Sequence, residues 1–275
     1  MTSKNPLIRT LMIALLAAVA LTEVFPYFWI ATTSLKDLRG VLQFPPSLLP
    51  IPPHWENYAQ AWQSGPFPRY LLNNVITTFG ILSIQLFLGC LAAYAFSKLR
   101  FPGRDVCFFV VLSCLMVPPQ IRFVPIYIML AKVGLLNTYW ALILPYAASA
   151  LGTFLIREAF NSINDDVLDA ARIDGASVLQ IIFRIMVPIA KPTIIAFALF
   201  SMVYHWNDYF WPLVMTTTET VRTLPLGVAL LREEGTGSRW HIIMAGNMFV
   251  VVPMIVTFLL AQRHIIRAFT FSSLK

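Results

Sequence analysis

Residues 157–192 read REAFNSINDDVLDAARIDGASVLQIIFRIMVPIAKP, and five carboxylates, Glu158, Asp165, Asp166, Asp169 and Asp174, crowd into 17 of these positions. Each ionised carboxylate placed at the centre of a bilayer costs roughly 3 kcal/mol or more, so this stretch belongs in water. Its local signals describe two short helices and a turn. Asn164 and Asp165 are N-cap residues for a helix carrying Val167, Leu168, Ala170 and Ala171, because their short polar side chains can accept from the first free amides. Asp174-Gly175 is its stop, since glycine tolerates the left-handed turn. Ser177 then caps a second helix that runs through Ile181, Phe183 and Ile185 to Pro188.

On both sides of this segment the chain is apolar. Of 275 residues, 58% are hydrophobic and 12% are charged, and a soluble domain carries about twice that charged fraction. Apolar runs fall at about 7–32, 71–97, 106–130, 139–156, 189–213 and 241–262. About 20 residues cross a hydrocarbon core as a helix, so the expected fold is an all-α integral membrane protein with six transmembrane helices. Pro118, Pro119 and Arg122 interrupt the third run, which predicts an end near Val117 and a second short helix after it. The expected organisation is a first helix and outer loop over 1–70, a core over 71–265 containing the water-facing hairpin at 158–192, and a tail over 266–275. Pro45, Pro46, Pro50, Pro52, Pro53, Pro66 and Pro68 keep the loop from Thr33 to Tyr70 from forming one long helix.

The net charge is +7, but the cations stand singly beside apolar runs and form no basic face, which argues against a nucleic-acid partner and for a role in topology. With the N-terminus inside, Lys4, Arg9, Lys98, Arg100, Arg104, Arg157, Arg172, Arg184, Lys191, Arg263, Arg267 and Lys275 all fall on the cytoplasmic side, twelve of the twenty Lys and Arg. Positive residues resist translocation, so both termini are expected to be cytoplasmic. The run after Lys4 and Arg9 continues past Glu23 through Phe25, Tyr27, Phe28 and Trp29 without a small-residue cleavage site, which fits a retained first helix. Cys90, Cys107 and Cys114 sit within apolar runs at no close ligand spacing, as small buried hydrophobes do. His205 and His241 likewise lack a ligand-spaced partner, and no metal is expected.

DAARIDGA followed by IMVP closely resembles the cytoplasmic loop of bacterial ABC importer permeases, written Glu-Ala-Ala, three residues, Gly, nine residues, Ile, any residue, Leu, Pro. Asp169, Ala170, Ala171, Gly175, Ile185 and Pro188 fall at that spacing, with Asp169 in place of Glu and Val187 in place of Leu. PYFWIATTSLK from Pro26, AYAFSKLRFPGR from Ala93, MVPPQIRFVPIY from Met116, VGLLNTYWALILP from Val133 and YHWNDYFWPL from Tyr204 look like the carbohydrate-importing branch of these permeases, including glycerol-3-phosphate importers.

The resemblance implies a type I importer architecture in a bacterial or archaeal cell membrane. It also implies a homologous second permease, two ATP-binding-cassette ATPases that bind ATP and Mg, and an extracytoplasmic solute-binding protein. The ATPase-coupling residues would be Leu168, Asp169, Ala170, Ala171, Asp174, Gly175, Ala176, Ile185 and Pro188, with Leu168 and Phe183 as apolar anchors. Without the resemblance, composition favours an ordinary well-capped loop over a docking element.

The chain has no Gly-x-x-x-x-Gly-Lys-Ser/Thr phosphate loop, and Gly235 to Gly237 lacks the lysine, so no cofactor and no catalysis are expected of this subunit. For the solute path, Tyr204, Trp206, Asn207 and Asp208 combine aromatic faces with hydroxyl-binding groups; anchoring and helix packing explain such residues as well. Arg122, Arg222, Arg232 and Arg239 on the outer side suit a phosphate-bearing solute. The competing class is an ATP-independent channel or secondary carrier. An intramembrane enzyme lacks any paired Asp, Ser/Lys or His-Glu-x-x-His constellation in the spans.

Overall fold

The computed structural model describes residues 6–232 and 239–272. Lys4, Lys275 and the Gly235–Gly237 stretch lie outside them, as do the side chains of Arg263 and Arg267. Every regular element among the described residues is helical. Three helices are long and apolar enough to cross a membrane singly, and three bent pairs bring the number of candidate spans to six.

One compact unit comprises Met1–Phe67 and Gly227–Val252. Its first helix, α1 (Pro6–Thr33), exposes its side chains along almost its whole length, the carboxylate of Glu23 included. The outer loop that follows holds only the short helices α2 (Leu38–Leu42) and α3 (Glu56–Gln63), as its prolines require. Asn57 pins the loop, its amide donating to the carbonyls of Ser34 at 2.9 Å and Lys36 at 2.8 Å.

The other unit, Pro68–Leu226 with Pro253–Lys275, holds the second to fifth candidate spans and the second part of the sixth. Its first helix is α4 (Phe67–Lys98), long enough to cross unbroken. The third apolar run divides, as its prolines predict, into α5 (Arg104–Ser113) with a 3-10 turn over Cys114–Met116, and α6 (Pro119–Lys132), bent by 100°. The fourth, expected as one rod, bends by 46° between α7 (Tyr139–Ile143) with its 3-10 turn Leu144–Tyr146 and α8 (Ala150–Asn161). Pro145 and the Ser149 cap, whose hydroxyl accepts from Gly152 N, account for that break.

After α9 (Asp165–Ile173) comes α10 (Val178–Gln180), a π-helical turn over Ile181–Met186 and α11 (Val187–Ile189). The chain then turns by 85° into α12 (Lys191–Trp206). The fifth run therefore ends at Trp206, short of the expected Leu213. Asp208 Oδ1 accepts from Trp211 N and starts a separate helix, α13 (Phe210–Met215). Two further helices follow, α14 (Leu224–Leu230) and α15 (Trp240–Ser272).

Where α8 crosses α12 the backbones meet closely, and a Cβ on Gly152 would stand 2.4 Å from the Phe197 ring. Between α4 and α12 lies a polar seam. Ser201 Oγ donates to Gln85 Oε1 at 2.6 Å, and Gln85 Nε2 donates to the Tyr146 carbonyl at 2.7 Å. Cys90 is buried as expected, whereas Cys107 and Cys114 are exposed on α5 and its extension.

Candidate functional site: the water-facing hairpin

The hairpin from Asn164 to Ile189 is closed by local chemistry at each end. Asn164 Oδ1 accepts from Asp166 N at 3.2 Å, Asp165 and Asp166 occupy the positive first turn of α9, and Arg172 its negative last turn. At the far end Ala176 N donates to Ala171 O at 2.9 Å and Gly175 N to Arg172 O at 3.0 Å. That is the 6→1 and 5→2 pair of a Schellman stop, with Gly175 at φ +80°. Ser177 and Gln180 then form a reciprocal capping box, Ser177 N donating to Gln180 Oε1 at 2.8 Å.

One side of the hairpin is packed. Leu168, Ile181, Ile182 and Met186 share a core with Cys90, Ala93 and Tyr94 of α4 and with Ile156 and Phe160 of α8. Ala171, Ala176 and Ile185 lie against the same core. Leu168 is 1% exposed, so it holds the hairpin to its own chain and offers no outward anchor, contrary to the sequence expectation. Phe183, the other expected anchor, stacks on Phe87 at 5.8 Å with planes 7° apart.

The opposite side is open. Ile173 is 86% exposed, and Val167, Val178 and Leu179 are also exposed, together with Asp169, Ala170, Asp174, Gly175 and Pro188. Apolar side chains presented on a charged, water-facing segment are the composition of a protein-docking surface.

Polar groups fix the hairpin's position. Lys98, whose side chain is 8% exposed at the end of α4, donates through Nζ to the Ile163 carbonyl at 2.7 Å and to Asp165 Oδ1 at 2.6 Å. This ammonium holds the Asp165 carboxyl below the usual carboxylate range. Beside the Tyr94 hydroxyl and Asp169, to which it donates at 2.6 Å, the Arg172 guanidinium stays protonated still more firmly. Sequence reading missed Lys98 and Tyr94 as partners, because nothing local marks a contact made across 67 residues.

The second cluster named from sequence is divided. Tyr204 is exposed and meets Tyr146 edge-on at 6.4 Å. Asp208 caps Trp211 N and lies within electrostatic reach of Tyr146, a residue the sequence did not single out. Asn207 is exposed, but its amide is occupied by the Val203 carbonyl at 2.8 Å. Trp206 is 3% exposed and so turned away from any open path, which corrects its expected place there. Of the four outer arginines, Arg222 is engaged with Glu219 and the Thr217 carbonyl, and Arg232 lies over the Trp240 ring. Arg122 is exposed and within electrostatic reach of Tyr146 and Tyr204.

Residues 85–271 match the model of the family described as "Binding-protein-dependent transport system inner membrane component". A glycerol-3-phosphate transport system permease protein, UgpE of Yersinia pestis bv. Antiqua (strain Antiqua), is 33% identical over 88% of this chain and 89% of its own. The probable ABC transporter permease protein YurM of Bacillus subtilis (strain 168) is 32% identical over 91% of this chain and 83% of its own. In fold, the chain is similar to a bacterial ABC transporter involved in import of the acidic polysaccharide alginate, with TM-score 0.83 and 24% identity over 96% of this chain and 98% of that one. A further structure, an alginate ABC transporter in complex with its alginate pentasaccharide-bound periplasmic protein, matches at TM-score 0.60 and 17% identity over 93% and 92% of the two chains.

Proposed function

Because this chain belongs to the binding-protein-dependent transport system inner membrane components, we propose that it forms, with a homologous second permease, the translocation path of an ATP-driven importer for a carbohydrate, a polyol or a glycerol phosphate. Two ATPase subunits supply hydrolysis, binding ATP and Mg, and an extracytoplasmic binding protein delivers the solute. The hairpin faces the cytoplasm, both termini lie on that side, and the chain sits in the cell membrane.

The observation that carries this reading is the exposed apolar face of the hairpin, Val167, Ile173, Val178 and Leu179, on a segment otherwise too charged for lipid. An ATPase groove that takes this face would push on α9, and a two-state rearrangement of packed helices would follow. The solute class is supported by the relatives, one a glycerol-3-phosphate permease and another an alginate transporter. On this chain, the exposed pair Tyr204 and Arg122 suits a hydroxyl-rich solute carrying negative charge.

In proteoliposomes, this chain with its second permease, the ATPases and the binding protein is expected to take up solute only with ATP, and this chain alone to move none. Uptake by the chain alone would instead indicate a channel or secondary carrier. A thermal-shift series on the cognate binding protein, across sugars and glycerol phosphates, identifies the solute.

A further inference from the structure

Resting on the coupling role proposed above, we infer that Lys98, beside the packed Tyr94, fastens the coupling helix α9 to the inner end of α4, so that displacement of α9 is carried into α4 as well as into the spans joined to it covalently. The hairpin continues from α8 and into α10–α12 through backbone, and sequence alone therefore assigns the stroke to those helices. The side-chain contacts add a third route.

Apolar packing is non-directional and lets one surface slide over another, whereas charged hydrogen bonds fix position and orientation. Lys98 Nζ grips both the turn carbonyl of Ile163, at 2.7 Å, and the first-turn carboxylate of α9, at 2.6 Å. Tyr94, one helical turn earlier on α4 and 4% exposed, shares the buried core beneath α9 with Leu168. Lys98 thus holds the first turn of α9, above a core to which Tyr94 contributes. In addition, Arg157 of α8 donates to the Phe96 carbonyl at 3.2 Å, which ties the same final turn of α4 to the helix entering the hairpin.

Lys98→Met separates fastening from folding. Methionine keeps the length and apolar stem of lysine, and Asp165, 75% exposed in its side chain, remains solvated when the ammonium is removed. Because a hydrogen bond to a charged group is worth tenfold or more in an equilibrium, the released arrangement should become about tenfold more populated. In the reconstituted four-component importer, Lys98→Met is expected to raise ATP hydrolysed per solute imported several-fold, while the ATPases still co-purify. Lys98→Arg, which retains the charge and both bonds, should restore the wild-type ratio. Asp165→Asn, which leaves the Ile163 bond intact, should give an intermediate ratio, and Lys98→Met combined with Asp165→Asn should be no worse than Lys98→Met alone.

A wild-type ratio in Lys98→Met overturns the inference, and so does an equal loss in Lys98→Arg. Should Lys98→Met not assemble, Asp165→Asn decides, and a wild-type ratio there overturns it. Failure of the underlying reading is distinct, since the wild-type complex itself would then import without ATP.

Discussion

Leu168 and Ile173 are both apolar and five positions apart in one nine-residue helix, which places them about 140° apart around its axis. Their exposures, 1% and 86%, follow from that angle. The two sites therefore fail differently when altered. Ile173→Asp is expected to leave the melting temperature of the purified permease pair unchanged and to weaken ATPase association tenfold or more, measured by titration of the ATPase onto immobilised complex. Leu168→Ala is expected to lower stability by about 2–5 kcal/mol, because it opens a cavity under α9, and to weaken association only through loss of the hairpin. The hairpin spacing could be read from sequence, but not which apolar residue faced outward, since that depends on how α9 is rolled against Tyr94 and Phe160. Lys98 was hidden for a similar reason. It reads as a topology-setting cation at the end of a span, and its partners lie 65 and 67 residues further on.

The elements whose ends are set by neighbours in sequence were the ones the sequence described. The Asn164 cap, the Gly175 stop and the Ser177 capping box each use groups within five residues of one another, so local chemistry suffices. The bends were partly readable. Pro118 and Pro119 announced the break between α5 and α6, while the 85° turn at Ala190 and the end of α12 at Trp206 depend on tertiary packing and on the Asp208 cap. The crossing of α8 and α12 yields the sharpest expectation at this scale. Gly152→Ala would drive a methyl to 2.4 Å from Cζ at the tip of the Phe197 ring, so either the ring or the helix must shift. The variant should lose about 1–3 kcal/mol as overpacking does, and Gly152→Ala with Phe197→Leu should recover much of it, both read by thermal unfolding in detergent.

Across the whole molecule, the proposed orientation rests on charge: with six crossings and the N-terminus inside, twelve of the twenty Lys and Arg would fall on the cytoplasmic side. With the native cysteines replaced by Ala, a single Cys at Asp174 is expected to resist a membrane-impermeant maleimide in intact spheroplasts and to react once they are opened. A single Cys at Thr220 should react in both conditions. The reverse pattern would place the hairpin outside and remove the ATPase from reach. The candidate crossings could be counted from composition, because lipid demands apolar length; two of the three bends could not be read there, because a broken helix and a straight one can have the same hydropathy.

The polar seam of Gln85, Ser201 and the Tyr146 carbonyl has a bearing on biogenesis. An amide side chain alone in hydrocarbon costs several kcal/mol, and Gln85 lies near the middle of α4 with its acceptor satisfied by a hydroxyl 116 residues downstream. While the ribosome is still synthesising the segment that carries Ser201, α4 is an incomplete lodger in the bilayer. Its full stability arrives only when α12 follows. The nascent chain therefore has a reason to keep its second span beside the insertion machinery, or under a chaperone's care, until the fifth has been made.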